Sequence, residues 1–210
     1  HGEGEKVSYN NSSDSFREAE LVAKTILEEK NKYSFNYNDF AILYRANYLS
    51  RDIESALTRN GIPYKIYGGV KFYERKEIKD SLAYLRLLVN KQDDLSLTRI
   101  INEPKRGVGE TLLNKYREMT NGSNDCLYDV IENNLIECKR AETRSNLTEF
   151  FDTMDKYREQ VEKGVELANI LDGLLKDVGY YTMIEEDDEE QRGENIKELM
   201  NNMTYFELNS

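Results

Sequence analysis

The residues of this chain best spaced for chemistry lie between Pro104 and Lys115, in the run PKRGVGETLLNK. A G-x-G turn that opens directly into a helix points bare backbone N–H groups outward and adds the positive end of the helix dipole. That combination binds a phosphate. Arg106 before the turn, Gly107, Val108 and Gly109 within it, Thr111 in the first helical turn and Lys115 one turn on are the candidate ligands. Together they suit a grip on duplex backbone that does not read base sequence. An ordinary tight helix–helix turn uses the same glycines for packing and stays open as an alternative. A second candidate set is Arg45 and Asn47, just past the run DFAILYR, because open α/β sheets bind ligands beyond the carboxyl ends of their strands. Tyr44 and Tyr48 beside them offer stacking faces for bases, although rings at such positions more commonly fill space.

Other chemistries are excluded by residue type. No G-x-x-x-x-G-K-[ST] loop occurs, and no acidic pair follows an apolar strand to hold magnesium, so the chain alone is not expected to hydrolyse ATP. The single histidine is His1, beside Gly2, which reads as the remnant of an appended tag and removes histidine-based catalysis. Cys126 and Cys138 have neither zinc spacing nor nearby histidines and read as free, buried or half-buried thiols. Neither a catalytic residue nor a metal or cofactor site is therefore expected within the chain. A net charge of −11 argues against a protein that simply coats nucleic acid. The charge is uneven, however. Twelve Lys/Arg against eight Asp/Glu make the stretch from Gly61 to Glu118 +4 and leave −15 elsewhere, which suits a local nucleic-acid contact within a larger assembly. With no bilayer-length apolar run and no secretory layout at the start, the expected compartment is the cytoplasm, away from membranes.

The elements that must position these residues change character along the chain. Val7-Ser8-Tyr9 reads as a short strand, followed by a Ser/Asn/Asp cluster able to cap a helix marked by Phe16, Ala19, Val22, Ala23 and Ile26. The mostly apolar run Asp39 to Arg45 reads as a strand buried on both faces of a parallel sheet. A helix with Ile53, Ala56 and Leu57 stops at Asn60-Gly61, and Ile62 to Gly69 supplies a third strand. The expected fold class is thus α/β plus all-α: a partial, three-stranded parallel sheet over residues 1–72, then a helical domain over 73–210. Gly68-Gly69 reads as a hinge between them. The dense charge of Lys71 to Asp80 reads as a solvated helix face. Further helices are marked by Ile78, Leu82, Leu85 and Val89, by Leu147 to Val161 and by Ile170 to Val178. Asn121 to Asp125 and the acidic run Glu185 to Glu190 read as loops.

Three stretches occur in order and close together: DFAILYRANYLSR, GIPYKIYGGVKFYERKEIKDSLAYLRLL and DDLSLTRIINEPKRGVGETLL. Together they resemble the UvrD/PcrA/Rep branch of superfamily 1 DNA helicases, densely from about Asn38 to Leu113. The resemblance implies that residues 1–72 are the first part of the RecA-like domain 2A, its partial sheet included, and residues 73–210 a truncated helical domain 2B. It implies that Arg45 and Asn47 contact the single strand along which the motor steps. It also implies that Arg106, Gly107, Val108, Gly109 and Thr111, with Lys115 beside them, form the duplex-gripping hairpin of 2B. Val108 stands where the family's pattern has isoleucine. In the parent protein, ATP and Mg would drive 3′-to-5′ stepping by closure of domain 1A on 2A. Partners so implied are DNA, as single strand and duplex junction, and the rest of the motor: 1A, 1B and the remainder of 2A. Two other readings remain at this point, a regulatory protein-interaction module and part of a RecB/AddA-like helicase–nuclease subunit.

Overall fold

A computed structural model describes residues 6–67, 71–121, 125–186 and 190–208 of the chain, so Gly68-Gly69 lies outside the described residues. The chain divides into two compact units, His1–Phe72 and Tyr73–Ser210.

The first unit is built on two helices, α1 (Ser15–Tyr33) and α2 (Ser50–Arg59), packed against each other. Asp14 caps α1, its carboxylate accepting the Arg17 N–H at 2.8 Å. At the C-terminal end of α2 the Ile62 N–H donates to the Leu57 carbonyl at 2.8 Å and the Gly61 N–H to Thr58 at 3.1 Å. That double bond pattern needs a residue with positive φ, and Gly61 provides it at +65°. The core is small: Ala19, Ala23, Ile26, Ala56, Leu57 and Ile62, with Phe40, Ile42 and Tyr64 packed along its edge.

The expected partial sheet is not formed: among the described residues there is no strand. Residues 40–44 and 62–66 form neither helix nor strand, and Phe40 has extended backbone angles (φ −106°, ψ 142°). Among the described residues no backbone hydrogen bond joins these segments to each other or to residues 7–9. A strand exists only where a neighbour completes its ladder, and none of the three segments supplies a partner for another. Nor is the run Asp39 to Arg45 buried on both faces. Phe40 and Ile42 pack against the core between the helices and Tyr44 is half-buried, whereas Leu43 is 95% exposed.

The second unit is all-helical among its described residues, with α3 (Lys76–Val89), α4 (Asp94–Ile100), α5 (Glu110–Thr120), α6 (Leu127–Asn133), α7 (Ala141–Glu162), α8 (Leu167–Asp177), α9 (Tyr180–Glu186) and α10 (Glu190–Leu208). Helix α3 is central, with Ile78, Ala83, Tyr84, Leu87 and Leu88 buried against α4, α7, α8 and α10. Helices α7 and α8 approach closely at Gly173, where a Cβ would lie 2.5 Å from the Tyr157 hydroxyl. The Tyr157 hydroxyl in turn donates to Asp177, and burial together with that carboxylate pushes its phenol up to about 12. Of the acidic run, Glu185 and Glu186 end α9 and Glu190 begins α10, while residues 187–189 lie outside the described residues.

The start of α3 is not a solvated face. Arg75, Glu77 and Asp80 are all buried. Arg75 donates to Asn195 at 2.8 Å, and Asn195 donates to Glu77 at 2.6 Å. Asp80 accepts from Lys76 at 2.9 Å, Arg99 at 2.6 Å and the Tyr180 hydroxyl at 2.7 Å. Buried charge is tolerated where every lone pair has a donor, and these donors come from α4, α9 and α10 as well as α3 itself. Burial works against the Lys76 ammonium, but Glu103 and Asp80 outweigh it and raise its pKa.

Candidate nucleic-acid interface

The turn between α4 and α5 is held from beneath by side chains that point inward. Arg106 is buried, 5% exposed. Its guanidinium donates to the carbonyls of Ile100 (2.9 Å), Ile101 (3.2 Å) and Pro104 (3.3 Å) and to the Tyr84 hydroxyl (3.0 Å). It also stacks over the Phe150 ring at 4.7 Å. The carbonyls of Ile100 and Ile101 lie at the end of α4 and that of Pro104 in the turn after it; the Ile100 carbonyl also accepts the Glu103 N–H at 3.0 Å, and the buried cation ties all three together. The Tyr84 hydroxyl passes its proton on to the Glu103 carbonyl at 2.6 Å, and burial pushes its phenol up. Arg106 is therefore mostly turned inward and shapes the turn from inside.

Asn102 does the same for the backbone. Its side-chain oxygen accepts the Arg106 N–H at 2.8 Å and the Val108 N–H at 3.1 Å, folding the turn around one amide. Residue type and spacing alone do not single out Asn102. The available signal is a short polar side chain directly after the apolar end of a helix and before Pro104. Val108 is itself buried, anchoring the middle of the G-V-G triplet.

The two glycines have different reasons to be there. Gly107 sits at φ +80°, and a Cβ on it would lie 2.3 Å from the Thr143 hydroxyl of α7. Both conformation and packing demand glycine. Gly109, the N-cap of α5, has an ordinary φ of −83°, and a Cβ added to it would meet nothing within 4 Å. Neither its backbone angle nor its packing requires glycine, although glycine is an accepted N-cap residue, and its effect is to leave the outer side of the helix start bare. Leu112 and Leu113 both donate back to the Gly109 carbonyl at 3.1 Å. Among the described residues no side chain caps the N–H groups of Glu110 and Thr111 ahead of them. Thr111 is exposed. The Glu110 carboxylate is drawn along the helix by Arg117 at 3.1 Å.

Lys115 is exposed but forms an ion pair with Glu137, so its charge is shared. Lys105 is exposed and has no ion pair with a described residue; in sequence it is hidden among charged neighbours. In the first unit Arg45 is exposed at the end of the extended run, and Asn47 is half-buried at the short turn leading into α2. Tyr44 and Tyr48 are half-buried there. The candidate duplex ligands thus gather at one turn of the second unit, and Arg45 and Asn47 belong to the first.

No group of three His, Cys, Asp or Glu among the described residues stands close enough to hold a metal. Cys138 is buried and Cys126 half-buried, both as free thiols. No described helix is long and apolar enough to cross a membrane.

Comparison with known proteins places the chain. The family model described as UvrD-like helicase C-terminal domain matches residues 1–210. An ATP-dependent DNA helicase PcrA of Staphylococcus aureus (strain Mu50 / ATCC 700699) is 37% identical over 211 residues, covering 99% of this chain and 28% of that protein. The ATP-dependent DNA helicase PcrA of Staphylococcus epidermidis (strain ATCC 12228 / FDA PCI 1200) is 35% identical over the same coverage. The chain therefore spans between a quarter and a third of the length of these relatives. With the family model matching from end to end, this chain belongs to the UvrD-like helicase C-terminal domain family.

Proposed function

We propose that this chain is a DNA-handling part of an ATP-dependent 3′-to-5′ DNA helicase, and that the α4–α5 turn of its second unit grips the backbone of duplex DNA. The first unit then corresponds to part of motor domain 2A, with Arg45 and Asn47 touching single-stranded DNA, and the second unit to domain 2B. ATP and Mg, and the hydrolysis they support, belong to the parent protein. The PcrA relatives, named as ATP-dependent DNA helicases, support this reading over an interaction module or a helicase–nuclease subunit. The observation that carries the grip is Gly109. A glycine that neither its backbone angle nor its packing requires, placed where it leaves two helix-start N–H groups bare, suits the close approach of a phosphate. Arg106, Asn102, Val108 and Gly107 hold that surface in place, while Thr111 and Lys105 supply exposed donors.

The test is fluorescence anisotropy of the chain with duplex, single-stranded and junction DNA across a salt series, comparing wild type with Gly109→Asn. Asparagine is a good N-cap, so the variant is expected to be as stable as wild type in urea or more so. Its side chain occupies the helix-start N–H groups, and loss of charge-assisted hydrogen bonds is expected to weaken duplex or junction binding by about tenfold or more. Unchanged duplex affinity in Gly109→Asn would overturn the grip.

A further inference from the structure

Many cations of the second unit are already used. Lys76, Lys91, Arg99, Lys115, Arg117 and Arg158 are in ion pairs, and Arg106 is buried. Lys139 and Arg140 are different. They are adjacent, exposed, and form no ion pair with a described residue. Arg140 is the N-cap of α7, and Thr143, three residues on, is the side chain against which Gly107 packs.

The segment bearing them is tied to α5 at several points. The Tyr116 hydroxyl lies 3.2 Å from both the Cys138 sulfur and the Asn134 carbonyl, and Lys115 pairs with Glu137. Arg144 donates to the Cys138 carbonyl at 3.0 Å, while its Nε is buried without a partner. The start of α7 is therefore held against the G-V-G turn at Thr143 and against α5 through Tyr116 and Lys115. Counting chain steps of 3.8 Å on either side of the Gly107–Thr143 contact, and about 6 Å across it, puts the Cα atoms of Lys105 and Arg140 within about 25 Å of each other, the axial length of about seven base pairs. Of the carboxylates nearby, Glu137 is neutralised by Lys115, and Glu142 is the acidic residue of the first turn of α7.

We infer that Lys139 and Arg140 form a second phosphate-binding element, which contacts duplex DNA beside the phosphates held by the G-V-G turn. The inference rests on the grip proposed above and extends it to a separate helix. One element supplies backbone N–H groups and the other mobile cationic side chains. The first fixes the position of the duplex, and the second adds sequence-independent affinity and most of the salt dependence.

The test uses the whole chain with a fluorescent duplex, measuring affinity from low to moderate salt for wild type, Lys139→Ala with Arg140→Ala, the charge-reversed Lys139→Glu with Arg140→Glu, and Gly109→Asn. Each phosphate contact contributes about 0.9 to the slope of log affinity against log salt, so the double alanine variant is expected to be shallower by about 2. The reversed pair is expected to weaken binding further, and circular dichroism should show unchanged helix content in both. If both double variants keep the wild-type slope and affinity while Gly109→Asn loses binding, the second element is overturned and the turn stands. Should the double variants lose binding while Gly109→Asn does not, the cations bind DNA without the turn, and the grip and the two-element arrangement fall. Absence of duplex binding by wild type at low salt would overturn both.

Discussion

Replacing Arg106 with methionine separates two roles that look alike in sequence, phosphate ligand and internal scaffold. Methionine keeps most of the side-chain length but removes all donors. It would leave the carbonyls of Ile100, Ile101 and Pro104 without this partner and remove the stacking over Phe150. About 1 kcal/mol for each of the three stranded carbonyls and about 1–2 kcal/mol for a desolvated cation–π contact give a loss of about 4–5 kcal/mol. The range matches what breaking a buried ionic network commonly costs. In a urea titration with a slope of about 2 kcal/mol per M, the midpoint of the second unit should fall by about 2 M. Binding measured on the population that remains folded should keep the wild-type salt slope, because the guanidinium does not face solvent. A phosphate ligand would behave in the opposite way, with a slope shallower by about 0.9 and little change in stability. A stability change under about 0.5 kcal/mol accompanied by a shallower slope would refute the inward assignment of Arg106.

Further outcomes follow from the same contacts. Gly107→Ala should destabilise the chain by about 2–3 kcal/mol, from positive φ and the Thr143 clash together, and adding Thr143→Ala should recover the steric part in a double-mutant cycle. Strict additivity of the two changes would deny the contact. Asp80→Asn removes the charge facing Lys76, Arg99 and Tyr180 and should cost about 3 kcal/mol, read as a lower melting temperature. Arg59 and Asn60 hold the Glu20 carboxylate below its ordinary 4.5. Its stabilising effect is therefore present above that value and fades as pH falls below it. At neutral pH Glu20→Gln should cost about 0.5 kcal/mol, since the pair is exposed, and the gap from wild type should close toward pH 3. A gap independent of pH would show that the ion pair is not its source.

The parts of the fold that are legible in the sequence depend on local pattern. Ala19, Ala23 and Ile26 on α1, Leu147 to Tyr157 on α7 and Ile170 to Leu175 on α8 recur at helical spacing, and the structure buries them along one face of each helix. The Asn60-Gly61 stop is equally local. What the sequence misleads on is what depends on distant partners. DFAILYR has the composition of a central strand, yet a strand is a property of a pair of segments, and its neighbour is not among those described. The charges of Lys71 to Asp80 read as solvated because their partners, Tyr180 and Asn195, lie about a hundred residues further on. At the candidate site, the G-V-G turn and its helix are visible from spacing alone. The inward aim of Arg106 and the part played by Asn102 are not, because both answer to carbonyls and amides that composition does not reveal.

The unequal cores of the two units bear on how the chain comes apart. Half of the six buried apolar residues at the centre of the first unit are alanines, whereas the second buries whole faces of several helices with Leu, Ile, Phe and Tyr. Apolar area released on melting sets the heat-capacity increment, so the first unit should open with a small, shallow calorimetric signature and the second with a large, steep one. Amides of the first unit would then exchange with solvent through frequent partial openings that leave the helical unit intact. A single melting temperature for this chain would describe the second unit alone.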